Sequence, residues 1–127
     1  MENRFSCILI EDEALGIEML QDYIGRRNDL FLVGTASQQS EIQSLLKICS
    51  PKLIFLDLVI PFGDANDFNY SKFPESSILV IISATPLNYY KGDIPFGEKH
   101  ELLKPISFEN FNNCVDNILR NIQLTNV

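Results

Sequence analysis

The sequence predicts a doubly wound α/β fold, in which a five-stranded parallel sheet is covered by helices on both faces. Two features of the pattern predict it. Short apolar runs occur without the polar alternation of half-exposed strands, as is typical of parallel strands that are buried on both faces. Between several of these runs, apolar residues recur at helical spacing. Strands alternating with helices in this way form a parallel sheet with right-handed crossovers.

The first half of the chain contains two strand–helix units. The run Phe5–Ile10 predicts the first strand, and it stops at three acidic residues, 11–13. A helix follows over about residues 15–24 and is closed by Gly25 and two arginines. The second strand is expected at residues 31–36. The helix after it has Ser40 and Gln43 spaced as a capping box.

The second half contains three strands, at residues 53–56, 78–82 and about 100–103. Residues 61–77 and 85–98 are rich in proline and glycine, so the first segment predicts an irregular crossover and the second an irregular or shortened fourth helix. The last helix is expected to begin after Ser107, which can cap it. Its apolar face would consist of Phe108, Phe111, Val115, Ile118, Leu119 and Ile122.

Length and composition indicate a single globular domain over residues 1–127, since 46% of the residues are hydrophobic and 21% are charged. The net charge of −7 and the lack of a basic cluster argue against direct nucleic-acid binding. The amino-terminal apolar run is too short for a signal peptide or a membrane span, so we expect a cytoplasmic protein. The three cysteines are in no metal-binding spacing and are expected to be free thiols.

Polar residues stand where four of the predicted strands end. Glu11 and Asp12 follow the first strand, Asp57 the third, Ser83 the fourth and Lys104 the fifth. Ligands bind at the carboxyl ends of the strands in such sheets. Packed carboxylates repel one another, and a bound cation relieves that repulsion. Mg²⁺ fits best, because it prefers oxygen ligands and no histidine or cysteine ligand stands near this site in the sequence.

These residue types suit phosphoryl transfer. The Asp57 carboxylate can act as a nucleophile and form an acyl phosphate. Mg²⁺ and the Lys104 ammonium would neutralise the charge on the phosphoryl oxygens. The Ser83 hydroxyl can donate a hydrogen bond to one of those oxygens.

In four motifs the sequence resembles the receiver domains of bacterial response regulators. These are chemotaxis-regulator-like domains of two-component signalling. The resemblance covers essentially all 127 residues. The motif ILIEDE is similar to the acidic turn of receivers, and LIFLDLVIP to the phosphoacceptor strand. VIISA matches the Ser/Thr-Ala switch and LLKPI the Lys-Pro signature. The opening CILIEDEALGIEML together with LLKPI looks most like receivers attached to LytTR-type DNA-binding domains.

The resemblance implies the flavodoxin-like strand order 2-1-3-4-5 and a role for each site residue. Asp57 would be the phosphoacceptor and a Mg²⁺ ligand, with Asp12 as a direct ligand, Glu11 acting through water and Val59 supplying a backbone carbonyl. A sensor histidine kinase or phosphotransfer protein would donate the phosphoryl group. The partner would be an appended or separate output domain, and family members often form homodimers.

Three departures from the receiver pattern affect signalling more than phosphorylation. Glu101 stands where receivers usually have an aromatic residue, three positions before Lys104. Ala65 stands where they usually have a glycine, shortly after Pro61. The segment of the fourth helix is interrupted by prolines and glycines. We therefore expect Glu101 to stay solvated, because burial of an unpaired carboxylate is costly.

Two alternative functions remain at this point. The first is a degenerate receiver that binds a partner without being phosphorylated. The second is an enzyme or cofactor protein on a similar sheet, such as a flavodoxin or a haloacid-dehalogenase-type phosphatase. A flavodoxin needs a phosphate-binding loop where this chain has three acids. The phosphatase pattern needs a second acid two residues after its first aspartate, where this chain has Ala14.

Overall fold

The computed structural model describes residues 4–58, 70–86 and 96–125 of the chain. Within these residues the sheet has five strands, all parallel. They are β1 (Phe5–Ile10), β2 (Leu30–Ala36), β3 (Leu53–Asp57), β4 (Ile78–Ser83) and β5 (Lys99–Leu103). Their order is β2-β1-β3-β4-β5, which confirms the predicted fold class and strand order. The described α-helices are α1 (Ala14–Gly25), α2 (Gln39–Ile48) and α3 (Phe108–Thr125).

The three central strands are buried on both faces, which explains their unbroken apolar sequences. Every residue of β3 and β4 is buried, as are the last four residues of β1. Helices on both faces remove these side chains from water, and that burial is the main favourable contribution to folding. The edge strand β5 is more exposed, with Leu102 as its buried residue.

The sheet separates two hydrophobic cores. On one face, Leu20 and Ile24 of α1 pack with the buried side of α3 against the sheet. On the other face, Ile42 of α2 packs against the sheet together with Tyr70 and Phe73. The apolar side of α3 was predicted correctly. Phe111, Val115, Ile118 and Leu119 are buried, while Phe108 and Ile122 are partly buried at its margin.

The end of α1 and the start of α3 follow the sequence signals. Helix α1 ends at Gly25, as predicted, and the next residue, Arg26, is its C-cap. Helix α3 begins after Ser107, whose Oγ accepts a hydrogen bond from the backbone N–H of Asn110 at 3.0 Å. The predicted cap of α3 is therefore confirmed.

The predicted capping box of α2 is wrong. Ser40 lies inside the helix, which begins at Gln39. The Glu41 carboxylate accepts hydrogen bonds from both the backbone N–H and the hydroxyl of Ser37, at 3.0 and 2.9 Å. This pair satisfies polar groups ahead of the first turn and moves the start of the helix towards the amino terminus.

Two predicted segments lie partly outside the described residues. In the crossover from β3 to β4, the described part contains a 3₁₀ turn at Tyr70–Lys72. Between β4 and β5, residues 84–86 and 96–98 are not helical. The predicted irregular fourth helix falls mainly on residues 87–95, which lie outside the described part, as do Val59 and Ala65.

Within the described ranges, no helix combines the length and apolar character needed to cross a membrane. Cys7, Cys49 and Cys114 are free thiols. Burial raises the pKa of Cys7 to about 12 and that of Cys114 to about 11. Both thiols are therefore protonated at neutral pH and serve as small apolar side chains.

The cap of α3 gives a first testable prediction. The substitution Ser107→Ala removes the acceptor for the Asn110 N–H and should lower the free energy of unfolding by about 1 kcal/mol. Urea unfolding measures the change. Ser107→Asp is the matched control, because aspartate can accept the same bond and should retain most of the stability. Equal losses in the two variants would contradict the capping role.

Candidate functional site

Glu11 lies buried at the carboxyl end of β1, with 2% of its surface exposed. Its backbone N–H donates to the Ala36 carbonyl oxygen of β2 at 3.0 Å, so it continues the strand pairing for one residue. Its side chain folds back over the turn before α1, where Oε1 accepts the backbone N–H groups of Asp12 and Glu13, each at 3.1 Å. The acidic turn is thus held by its own first residue.

Gly16, in the first turn of α1, leaves room for this carboxylate. A Cβ atom at residue 16 would lie 2.9 Å from Oε2 of Glu11, closer than ordinary contact. A larger residue there would require the carboxylate to move. Sequence reasoning missed this role, although a glycine within a predicted helix is itself a signal of close approach.

Asp57 and Lys104 form the central contact of the site. Asp57 ends β3 and is fully buried, and Lys104 follows β5 directly. The Nζ atom of Lys104 donates to Oδ2 of Asp57 at 3.0 Å, across 47 residues of sequence. Burial alone would lower the pKa of Lys104, but the hydrogen bond and attraction to Asp57 outweigh it and raise the pKa above its usual value. The lysine is therefore a fixed positive charge beside the buried carboxylate.

Ser83 ends β4 next to this contact. The β3–β4 register pairs Asp57 with Ile82, so Ser83 follows one residue further on. The Ser83 carbonyl oxygen accepts the backbone N–H of Lys104 at 2.8 Å. Its buried hydroxyl donates to the Thr85 carbonyl oxygen at 2.7 Å. The serine thus links the loop that carries the lysine to the segment that leaves β4.

The electrostatic environment of the site perturbs the Glu11 carboxyl group. Burial and the neighbouring Asp57 carboxylate raise the pKa of Glu11 from 4.5 to about 7. The N–H donors of the acidic turn and Lys104 oppose this rise without cancelling it. Two acids thus share a site in which Lys104 supplies positive charge.

The structure brings Glu11, Asp57 and Lys104 together, with Ser83 on the adjacent strand. Asp12 lies in the same acidic turn, and its side chain is exposed. Val59, the predicted carbonyl ligand, is outside the described residues. Within residues 4–58, 70–86 and 96–125, no three histidine, cysteine, aspartate or glutamate side chains converge into a metal-binding cluster.

The donor chemistry of the site fits Mg²⁺ nonetheless. Mg²⁺ commonly takes one or two protein carboxylates and keeps several waters, so a cluster of three acidic side chains is not required. The raised pKa of Glu11 reflects in part repulsion between closely packed carboxylates, and a divalent cation would relieve it. Asp12 and Asp57 are the residues that would hold such an ion.

Comparison with known proteins finds similar sequences among regulatory proteins. The chain is 28% identical over 109 residues to the transcriptional regulatory protein CitT of Bacillus subtilis, covering 82% of this chain and 48% of that protein. It is 26% identical over 125 residues to the sensory transduction protein LytT of Oceanobacillus iheyensis, covering 94% and 50% respectively. The chain thus spans about half the length of the curated relatives it matches.

Solved structures agree with the sequence relatives. The receiver domain of AraT, a response regulator from Geobacillus stearothermophilus, superposes with a TM-score of 0.78 at 20% identity, covering 97% of this chain and 98% of that domain. No protein-family model matches the chain. The chain has the fold of response-regulator receiver domains. The relation to LytT fits the predicted resemblance to LytTR-type regulators.

The shifted pKa of Glu11 predicts a pH-dependent stability for the metal-free protein. The folded state retains a proton on Glu11 that the unfolded chain releases near pH 4.5. This contribution to stability is complete below about pH 4.5 and is lost as the pH rises through about 7. Between pH 5 and pH 8 the unfolding free energy of the wild type should therefore fall by about 1–3 kcal/mol more than that of the Glu11→Gln variant.

Urea unfolding in the presence of a chelator, at several pH values, measures this difference. Glu18→Gln is the control, because Glu18 is exposed on α1 and its loss should leave the pH profile parallel to that of the wild type. Parallel profiles for Glu11→Gln and the wild type would contradict the assignment of the shifted group.

Proposed function

We propose that the chain is a phosphoacceptor receiver domain, formed by residues 1–127, that takes a phosphoryl group on Asp57. The observation that carries the proposal is the 3.0 Å contact between the Lys104 ammonium and the buried Asp57 carboxylate. Burying the Asp57 carboxylate in the hydrophobic layer costs several kcal/mol, and pairing with a lysine offsets such a cost only in part. A reaction that requires a charged carboxylate in this position accounts for that cost.

The transfer step follows from the positions of these groups. One carboxylate oxygen of Asp57 attacks the phosphorus atom of the donor in line with its leaving group. A new O–P bond forms while the donor's P–N or P–O bond breaks, and the leaving group takes the bonding electron pair. The Lys104 ammonium is placed to stabilise negative charge on the transferred group.

Bound Mg²⁺ would supply a second centre of positive charge for the phosphoryl oxygens. Asp12 and Asp57 would hold the ion, with the Val59 carbonyl as a further ligand and Glu11 acting through water. The folded-back Glu11 side chain supports this division of roles, because Oε1 is already engaged by two backbone N–H groups.

Ser83 would connect phosphorylation to a change of conformation. Its hydroxyl now donates to the Thr85 carbonyl oxygen. If it donates instead to a phosphoryl oxygen on Asp57, the segment after Ser83 loses that bond. A ligand shifts an equilibrium only by binding two conformations differently, and this exchange of partners provides such a difference.

The expected partners follow from this function. A sensor histidine kinase or a phosphotransfer protein would donate the phosphoryl group, and a separate or appended output domain would respond to it. The relatives named above are a transcriptional regulator and a sensory transduction protein, and each is about twice as long as the matched segment. The net charge of −7 disfavours direct contact of this segment with nucleic acid. We place the protein in the cytoplasm and consider a homodimer compatible with it.

A degenerate receiver that signals without phosphorylation is the second candidate. One observation favours it: Glu101 occupies the usual aromatic position and its side chain is exposed on β5, so no ring can move inward there. The contact between Asp57 and Lys104 opposes this candidate, because a receiver that has lost phosphorylation has no need to retain both groups.

Phosphorylation can be tested directly. Incubation with acetyl phosphate or phosphoramidate and Mg²⁺ should add one phosphoryl group that hydroxylamine removes, since an acyl phosphate is sensitive to that nucleophile. Intact-mass measurement detects the adduct. Asp57→Asn should abolish it, whereas Asp22→Asn, which alters an exposed acid on α1, should retain it. A wild-type protein that accepts no phosphoryl group would favour the degenerate receiver.

Metal binding gives a separate prediction. Mg²⁺ at a concentration ten times its Kd should stabilise the folded protein by about 1.4 kcal/mol. For a chain of this size, that corresponds to a rise of roughly 4–6 °C in Tm. Thermal unfolding monitored by circular dichroism measures the rise. Asp12→Ala should largely remove it, and Glu18→Ala should not, although both variants lose one negative charge near the same helix. An Asp12→Ala protein that responds to Mg²⁺ like the wild type would refute the ligand assignment.

A further inference from the structure

The loop that carries Lys104 has a polar link to α1. The hydroxyl of Tyr23, near the end of α1, donates a hydrogen bond to the Ile106 carbonyl oxygen at 2.9 Å, across 83 residues of sequence. Ile106 is buried and lies two residues after Lys104. At the other side of Lys104, its own backbone N–H donates to the Ser83 carbonyl oxygen at 2.8 Å. The lysine is therefore bracketed by two hydrogen bonds to different elements.

Packing supports this loop unevenly on its α1 side, because Ile106 belongs to the core that contains Leu20 and Ile24 of α1, whereas the space beside Lys104 is open. A cleft of about 260 Å³ lies between α1 and the loop, and is lined in part by Glu11, Met19, Leu20, Lys104, Pro105 and Ile106. Side chains across such a gap lack the close contacts that fix a packed interior. A directional hydrogen bond can then refine the position of the loop, and the bond from Tyr23 reaches it from α1.

The Tyr23 ring itself is held independently of its hydroxyl. The ring contacts Phe108, with centroids 5.3 Å apart, and Phe111, with centroids 5.5 Å apart. Both phenylalanines belong to α3, so the ring is fixed between the two helices that cover this face of the sheet. A hydroxyl on a ring held in this way is a rigid donor, which is suited to fixing a loop.

We propose that the Tyr23 hydroxyl positions Lys104 for phosphoryl transfer by holding the Ile106 carbonyl and thereby the loop from 104 to 107. Tyr23 touches neither Asp57 nor the transferred group in this account, so it is a positioning residue and not a catalytic one. The proposal rests on the phosphoacceptor function proposed above. It adds a residue that none of the four receiver motifs contains.

The test uses Tyr23→Phe, which removes the hydroxyl and keeps the ring between Phe108 and Phe111. Its matched control is Arg27→Met. Arg27, just beyond α1, donates to Asn112 and pairs with Asp29 and Asp116, all at 2.9 Å, so the control weakens contacts with α3 and with the segment before β2 without reaching the loop. Urea unfolding of both variants establishes how much global stability each has lost.

The first measurement is hydrogen exchange of the Lys104 backbone amide, and it needs no phosphorylation. With the Ile106 carbonyl released, the loop should open more often, and exchange at Lys104 should accelerate roughly three- to tenfold in Tyr23→Phe. Arg27→Met should leave that amide within about twofold of the wild type once any change in global stability is subtracted. Unchanged exchange in Tyr23→Phe would overturn the proposal.

The second measurement is the rate of labelling by acetyl phosphate over a range of concentrations. We expect the maximal rate to fall roughly three- to tenfold in Tyr23→Phe, with the half-saturating donor concentration and the Mg²⁺ affinity unchanged. Arg27→Met should label at the wild-type rate. Faster exchange with an unchanged labelling rate, or an equal loss of rate in both variants, would refute the positioning role. If the wild type is not labelled at all, the phosphoacceptor function fails, and the exchange result still decides whether Tyr23 positions Lys104.

Discussion

The burial of the Asp57 carboxylate is the constraint on which the site depends. Asp57 belongs to a strand that is buried over its whole length, so its charge lies within the hydrophobic layer of the sheet and not on a loop above it. A charge in such a position needs a partner, and Lys104 reaches it from the end of a different strand. The parallel arrangement makes this possible, because the carboxyl ends of β3, β4 and β5 meet at one edge.

The same constraint explains how the surrounding loops are built. The Asp57 carboxylate disfavours the charged form of Glu11 beside it, and the backbone N–H groups of the acidic turn compensate in part. Lys104 must be held at a fixed distance although the region between its loop and α1 is open. Backbone and hydroxyl hydrogen bonds, from Lys104 to Ser83 and from Tyr23 to Ile106, perform that task. Polar contacts therefore add to packing at this end of the molecule, whereas packing dominates between the sheet and its helices.

The sequence predicts those features that depend on local patterns. The unbroken apolar runs identify β1, β3 and β4 with their ends, and the cap at Ser107 locates the start of α3. The start of α2 was misplaced because Glu41 pairs with Ser37, and this competes with an equally plausible pair one turn later. The contact between Tyr23 and Ile106 could not be predicted, since helical spacing assigns Tyr23 to an apolar face and does not indicate which carbonyl its hydroxyl meets. The proposed roles of Asp12 and Val59 come from the resemblance to receivers, because the strand pattern specifies no coordination geometry.

Glu101 has a second consequence, which concerns the edge of the sheet. β5 is an edge strand, and an exposed edge offers backbone groups to which a strand of another molecule can pair. Lys99 and Glu101 are exposed along this edge strand, and charged side chains there discourage such pairing. On the opposite edge strand, β2, the guanidinium of Arg4 covers the partly exposed ring of Phe31 at 5.1 Å from its centroid. Charged groups at both edges of the sheet thus disfavour its pairing with strands of other molecules.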